Sequence, residues 1–261
     1  MTGRTTYASV NRRGWDSLSR RGCDSSQIVS AHALDHAQEM LDRNGWLPWD
    51  RLRTILCLAA AGGQQGPLFA SLGYEVTVAD NSPTQLAQDE RAASRYGLVI
   101  ETVLCDAMEC APLRGRTFDL VYQPVSTLYL PDVRGCYAQV AQLLPPGGLY
   151  WSEHWNPVEM QLDEALAWDG TAYRLSHPQD VGPLPAPAGS TPEDAVCWHY
   201  IHPLNDLLGG MCAAGFAILG FAERPGADAS APPATRAHLG AYIPGFFAVL
   251  ARKHGARGSR P

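Results

Sequence analysis

Lysine is almost missing from this chain: Lys253 is the single lysine among 20 basic residues. Against 26 acidic residues the net charge is −6, and the one basic cluster, Arg252 to Arg260, reads as a frayed tail. A phosphate backbone needs a basic face, so nucleic acid is excluded as an expected partner. Long hydrophobic runs are also missing. No stretch approaches the ~20 apolar residues of a membrane span, and the N-terminus lacks the apolar core of a secretion signal, so no membrane association is expected. Paired cysteines are absent too. The seven thiols, Cys23, Cys57, Cys105, Cys110, Cys136, Cys197 and Cys212, are odd in number and form no C-x-x-C, which reads as a reduced, cytoplasmic protein. His199 and His202 in "HYIH" have ligand-like spacing but no third ligand, so no metal is expected.

What is present is an apolar fraction of 46% in 261 residues, enough for one α/β domain with a cap. There is no internal repeat. Five strand-like runs, at 54–59, 75–80, 99–104, 118–123 and 148–154, alternate with helical patterns at 65–71, 82–96 and 133–143. That alternation predicts a parallel sheet with helices on both faces. An amphipathic helix is expected over 27–42, where Ile28, Ala31, Leu34, Ala37 and Leu41 recur at near-helical spacing. Late in the chain a helix over 204–214 precedes "FAILGFAER" and "YIPGFFAVLARK", two strands in succession separated by a Pro/Ala-rich loop. They predict an antiparallel hairpin at the sheet edge. The Pro-rich stretch between His154 and Leu204 is too long for an ordinary connection, and reads as a lid, a binding segment or disorder.

Residues 55–66, "ILCLAAAGGQQG", raise the functional question. A strand ending in small residues lets a ligand approach the backbone, and the next helix offers its N-terminal amides. Asp80 ends the second strand, where a carboxylate can accept hydrogen bonds from both hydroxyls of a ribose. Asp106 follows the third, placed to receive an adenine amino group. Each acid alone could be a helix cap or a turn residue. Together, at successive strand ends, they outline a nucleoside site.

The span 54–154 resembles the class I S-adenosylmethionine-dependent methyltransferases, especially the small-molecule enzymes of the type 11 kind. "ILCLAAAGG" aligns with that family's V-L-D-L-G-x-G-x-G loop, "VTVADNSPTQL" with its acidic second strand, and "CDAMEC" with its adenine loop. "RTFDLVYQPVSTLYLPD" matches the fourth strand, and "AQLLPPGGLYWSEHW" the L-x-P-G-G entry to the fifth. The resemblance implies a Rossmann-like seven-stranded sheet ending in an antiparallel hairpin. It also implies a cofactor site of Ala59, Ala61, Gly62, Gly63, Gln64, Gln65, Asp80, Asn81, Gln85, Asp106, Ala107, Met108 and Gln123. Ala59 and Ala61 replace the first two glycines, and Cys57 replaces the acid. Alanine suits the loop only where φ is negative, while Gln64 and Gln65 offer amides for the cofactor's carboxylate. A nicotinamide oxidoreductase is the runner-up, although G-x-G-x-x-G is absent. A subunit that binds the cofactor without catalysis is the other alternative.

Methyl transfer from a sulfonium is an in-line displacement, so the protein positions the nucleophile at roughly 3–3.5 Å and removes a proton where one is in the way. Candidate bases are His154 and Glu153 in "SEHWNP"; alternation along the strand lets only one face the site. Tyr7, Trp15, Tyr129, Trp155, Asn156, Trp198, His199 and Tyr200 are the candidate substrate contacts. They suggest a flat aromatic or heterocyclic metabolite, such as an indole or cyclic dipeptide, in natural-product tailoring. The expected organisation is an N-terminal helical cap (1–50), a cofactor core (51–154), a lid (155–202), a returning helix and strands (203–251) and a tail (252–261). Whether identical copies associate stays open.

Overall fold

A computed structural model describes residues 6–162, 168–180, 182–184, 197–224 and 226–255. Much of the expected lid, at 163–167, 181 and 185–196, and the end of the expected tail lie outside these residues. The first strand, β1 (Thr54–Leu58), reads TILCL and is buried from Ile55 on, as a central parallel strand covered on both faces must be. It pairs in parallel with β2 (Glu75–Asp80) and β4 (Leu120–Gln123). Parallel partners further out are β3 (Ile100–Leu104) and β5 (Leu149–Trp155). The chain then returns through β6 (Phe216–Glu223) and β7 (Phe246–Lys253), with β7 antiparallel to both β5 and β6. The sheet order is β3-β2-β1-β4-β5-β7-β6. The expected α/β architecture with a terminal antiparallel pair is therefore the observed one.

Nine α-helices occur among the described residues. They are α1 (Tyr7–Arg20), α2 (Ala31–Asp35), α3 (Ala37–Leu41), α4 (Gln65–Ser71), α5 (Pro83–Tyr96), α6 (Val133–Gln142), α7 (Pro157–Met160), α8 (Gly210–Ala213) and α9 (Arg236–Gly240). Strand alternation splits the core in two. Leu56, Leu58, Val121 and Tyr150 face α6 and α8, packing on Val133, Tyr137, Val140 and Met211. Ile55, Cys57, Tyr122 and Trp151 face the opposite layer, with Ala33, Ala37, Leu41 and Phe69. Local signals set the helix ends. Ser82 accepts from the Gln85 N–H to start α5, Pro83 follows at the first position, and Gly97 closes the helix in the left-handed region (φ 65°).

Three expectations are corrected. The helix expected over 27–42 is two short helices, because Ser30 is the true N-cap, accepting from Ala33 N–H, and the chain breaks at His36 (φ −116°, ψ 24°). The late helix is a wide helical turn, Asn205–Gly209, running into the single turn of α8. The connection before β7 holds α9, started by Thr235, whose side chain accepts from His238 N–H. The structure also adds α1, opened by a reciprocal Thr6–Ser9 capping box.

Candidate functional site

Beyond Leu58 the chain turns with Ala59 at φ 47°, Ala61 at φ 55° and Gly63 at φ 74°. The expectation that alanine fits only with negative φ is overturned: both alanines hold the left-handed conformation that glycine adopts freely. Each such residue costs roughly 1 kcal/mol, and hydrogen bonds from outside the loop hold it. Ala59 N–H donates to the Ala79 carbonyl at 2.8 Å, and Val29 N–H donates to the Gly63 carbonyl at 2.9 Å. Gly62 N–H donates to Gln85 Oε1 at 2.8 Å, and Gln85 Nε2 donates to Ser26 Oγ at 2.7 Å. Restoring glycine should relax this strain. Ala59→Gly and Ala61→Gly are each expected to raise stability by up to ~1 kcal/mol, less what glycine's chain entropy offsets. The midpoint of denaturant unfolding reads the change.

Around this loop lies a cavity of about 260 Å³ at the carboxyl ends of the parallel strands. Ala59, Ala61, Gln64, Gln65, Asp80, Asn81, Gln85, Asp106 and Ala107 line it, together with Glu153. Gly62 and Gly63 shape the turn below it. Met108 and Gln123 do not line it. Gln123 is fully buried and braces the next loop instead: its Nε2 donates to Ser126 Oγ at 2.9 Å, and its Oε1 accepts from Tyr150 O–H at 2.6 Å.

The two acids differ in their surroundings. Asp80 is 8% exposed; one oxygen accepts from Ser82 N–H at 2.8 Å. Burial, aided by the nearby Asp16 carboxylate, pushes its pKa up to about 6 against the opposing backbone hydrogen bonds. Asp106 takes the Tyr7 O–H at 2.6 Å from each carboxylate oxygen, and Met108 N–H at 2.9 Å. Tyr7 thus reaches Asp106 rather than the opposite wall. Gln64 donates through Nε2 to the Gln27 carbonyl, whereas Gln65 Oε1 is buried without a protein partner. An orphaned acceptor in the cavity beside two carboxylates suits a ligand that brings donors: an α-ammonium, ribose hydroxyls and an adenine amino group.

The opposite wall comes from α1 and the loops after β4. Trp15 meets Tyr129 edge-on, with centroids 5.3 Å apart, and Tyr129 packs on His199 at 5.1 Å. Asn11, which carries no periodic or motif signal in the sequence, ties these pieces together. Its Nδ2 donates to the Tyr129 carbonyl at 2.8 Å, and its Oδ1 accepts from Trp198 N–H at 2.6 Å. Pro124, Val125, Ser126 and Leu130 complete the wall; they lie where the fourth strand ends, a position that could have nominated them.

The remaining candidates lie elsewhere. Trp155 and Tyr200 line a separate small cavity with Thr127 and His202. Asn156 caps α7, its side chain accepting from Val158 N–H at 3.0 Å. His154 is fully buried on the face opposite the cavity. Its Nδ1 is 3.0 Å from Thr127 Oγ1 and its Nε2 is 2.9 Å from Ser152 Oγ. Burial first, then neighbouring His202, pushes its pKa down to about 3, so it stays neutral and fully engaged. Of the two candidate bases, only Glu153 meets the cavity.

A family model described as a methyltransferase domain matches residues 56–152. The methyltransferase YbaJ of Bacillus subtilis, itself uncharacterised, is 30% identical over 233 residues, covering 83% of this chain and 90% of that protein. Squalene methyltransferase 1 of Botryococcus braunii is 30% identical over 128 residues, 47% of this chain and 34% of that protein. A solved S-adenosylmethionine-dependent methyltransferase from Mesorhizobium loti shares the fold with a TM-score of 0.63 at 22% identity, covering 84% of this chain and 100% of its own. The nicotinamide alternative falls with these matches. The sheet order, the strand-end acids and near full-length similarity agree: the chain belongs to the class I S-adenosylmethionine-dependent methyltransferases and takes S-adenosylmethionine as its cofactor.

Proposed function

We propose that this methyltransferase acts on a small, largely apolar acceptor with an aromatic or heterocyclic ring, as in natural-product tailoring. The carrying observation is the Trp15–Tyr129 wall, which faces the cofactor residues across one cavity. Aromatic faces favour a flat ring and a sulfonium cation, by about 0.5–2 kcal/mol per good contact. When bound, the cofactor supplies an electrophilic methyl group on sulfur. In this reading Asp80 accepts from the ribose hydroxyls, Asp106 from the adenine amino group, and Gln65 Oε1 from the ammonium. Gly62 and Gly63 let the backbone approach. Glu153 takes the acceptor's proton where one must leave. Helix α1, with Trp198 and His199 packed beside it, covers the acceptor.

Asp80 sets a pH dependence. Its carboxyl sits at about 6, against 3.8 ordinarily, so the folded chain holds its proton longer than the unfolded chain does. That difference contributes stability that is complete below about pH 4 and is lost as pH rises through about 6, by about 3 kcal/mol. Cofactor affinity should move the opposite way, because the ribose needs the ionised form. Asp80→Asn should flatten both trends and weaken binding by about 10- to 100-fold. Unfolding and calorimetric titrations between pH 4 and 8 check this.

A linear isoprenoid is the second reading, favoured by the similarity to a squalene methyltransferase over 47% of this chain. Incubation with methyl-labelled S-adenosylmethionine and separate aromatic, heterocyclic and isoprenoid panels tests both. Label in the ring-bearing panels is the expected result, and label confined to isoprenoids replaces the first reading with the second. Tight cofactor binding without transfer to any panel would leave a binding subunit.

A further inference from the structure

We propose that Arg224, the residue following β6, is the positioning residue that fixes the Glu153 carboxylate at the cavity wall and holds it ionised. The inference rests on the reading of Glu153 as proton acceptor. Glu153 lies inside the sheet between β4 and β7 and is 4% exposed. A lone carboxylate so placed favours its neutral form, which cannot accept a proton. Burial does push its pKa up, and the Arg224 guanidinium opposes that by charge and by hydrogen bonding, with Arg43 adding to it.

The geometry is an ion pair from Arg224 Nε to Glu153 Oε1. Arg224 is anchored by its own N–H, which donates to the Phe246 carbonyl at 2.9 Å, so the guanidinium meets Glu153 from across β7. Arg43 approaches from the turn after α3. From β4 comes the Tyr122 phenol, whose own proton burial holds in place. Neighbouring His154 points to the other face. Arg224 and Arg43 are therefore the cations set against Glu153, and only Arg224 touches it among the described residues.

A second cavity, also about 260 Å³, is lined by Arg43, Trp151 and Arg224. The Arg224 side chain stays 41% exposed. Its charge keeps part of its hydration, so the pair avoids the desolvation of two fully buried ions. Transfer to an O–H or N–H acceptor forms the acceptor–carbon bond and sends the carbon–sulfur electron pair to sulfur. One proton is left over, and Glu153 takes it.

The test needs no acceptor. Protein labelled with 13C at the glutamate carboxyl carbon is titrated by NMR, with and without S-adenosylhomocysteine, and Glu153 is assigned by the resonance that Glu153→Gln removes. Arg224→Met should raise the Glu153 midpoint by at least one pH unit, a tenfold change in proton affinity. Arg224→Lys should return it most of the way, and Arg43→Met should move it less. An unchanged midpoint in Arg224→Met overturns the proposal; if that variant does not fold, Arg224→Gln is held to the same criterion. Calorimetric binding of S-adenosylhomocysteine is a separate readout. Its loss in wild-type protein would count against the cofactor assignment and leave the titration result standing.

Discussion

Gly62→Ala is expected to abolish measurable cofactor binding while leaving a folded but weakened protein. A Cβ at this position would collide with the main-chain carbonyl of Gln85, and would lie 2.7 Å from Gln85 Oε1 and 2.8 Å from Gln88 Cβ. The first obstacle is backbone inside α5, so no rotamer change removes it. Gly62 is not among the positive-φ residues, which makes the penalty one of packing alone. Overpacking costs typically 1–3 kcal/mol, and displacing the loop breaks the Gly62–Gln85 hydrogen bond, worth about 1 kcal/mol. A loop shifted by about 1 Å no longer presents Ala59, Ala61 and Gln65 to the amino-acid end of the ligand, so affinity should fall by at least about 100-fold. Denaturant unfolding and calorimetry with S-adenosylmethionine measure the two effects. Ala61→Gly, one residue away, should change stability in the opposite direction, which separates this collision from general fragility of the loop. Wild-type affinity in Gly62→Ala would refute the placement of the loop.

The contrast between Gly62 and its alanine neighbours shows what could be read from the chain. The strands were legible because a sheet buried on both faces demands continuous apolar runs, and TILCL and LVYQ supply them. Asp80 and Asp106 were legible because strand ends are places that can be counted along a sequence. Backbone sign was not legible: nothing in "AAAGG" states that Ala59 and Ala61 take positive φ. Helix α1 escaped for a related reason. Its fully buried residues are Asn11, Gly14 and Ser19, small or polar types, while the apolar Tyr7, Val10, Trp15 and Leu18 at helical spacing stay only half-buried. Asn156 and Gln123 were candidates in the sequence, yet one caps a helix and the other braces a loop. Such roles depend on partners 2 to 27 residues away. The Tyr7–Asp106 contact spans 99 positions and belongs to the folded chain alone.

Glu153→Gln should lower kcat by about 10²- to 10⁴-fold, the range of general-base catalysis, with the cofactor's Kd nearly unchanged. The amide keeps the shape and most of the packing but cannot take a proton at neutral pH. His154→Gln provides the comparison. Alternation along β5 required that one of these two residues face the cofactor, and the sequence did not say which. His154 makes two buried hydrogen bonds, to Thr127 and Ser152, and its low pKa keeps it from gaining charge near neutrality. Its replacement should therefore cost stability, about 1–3 kcal/mol for leaving Thr127 or Ser152 without a partner, while the rate constant for transfer in the surviving folded protein stays near wild type. Single-turnover measurement with methyl-labelled cofactor, on an acceptor found in the panels, reads the chemical step apart from binding and folding. If Glu153→Gln turned over normally and His154→Gln did not, proton removal would have to be assigned to the opposite face of β5. For an acceptor with no proton to lose, such as a tertiary amine, Glu153→Gln should retain most of its rate. The ratio of the two variants across acceptors therefore reports whether the transferred methyl displaces a proton.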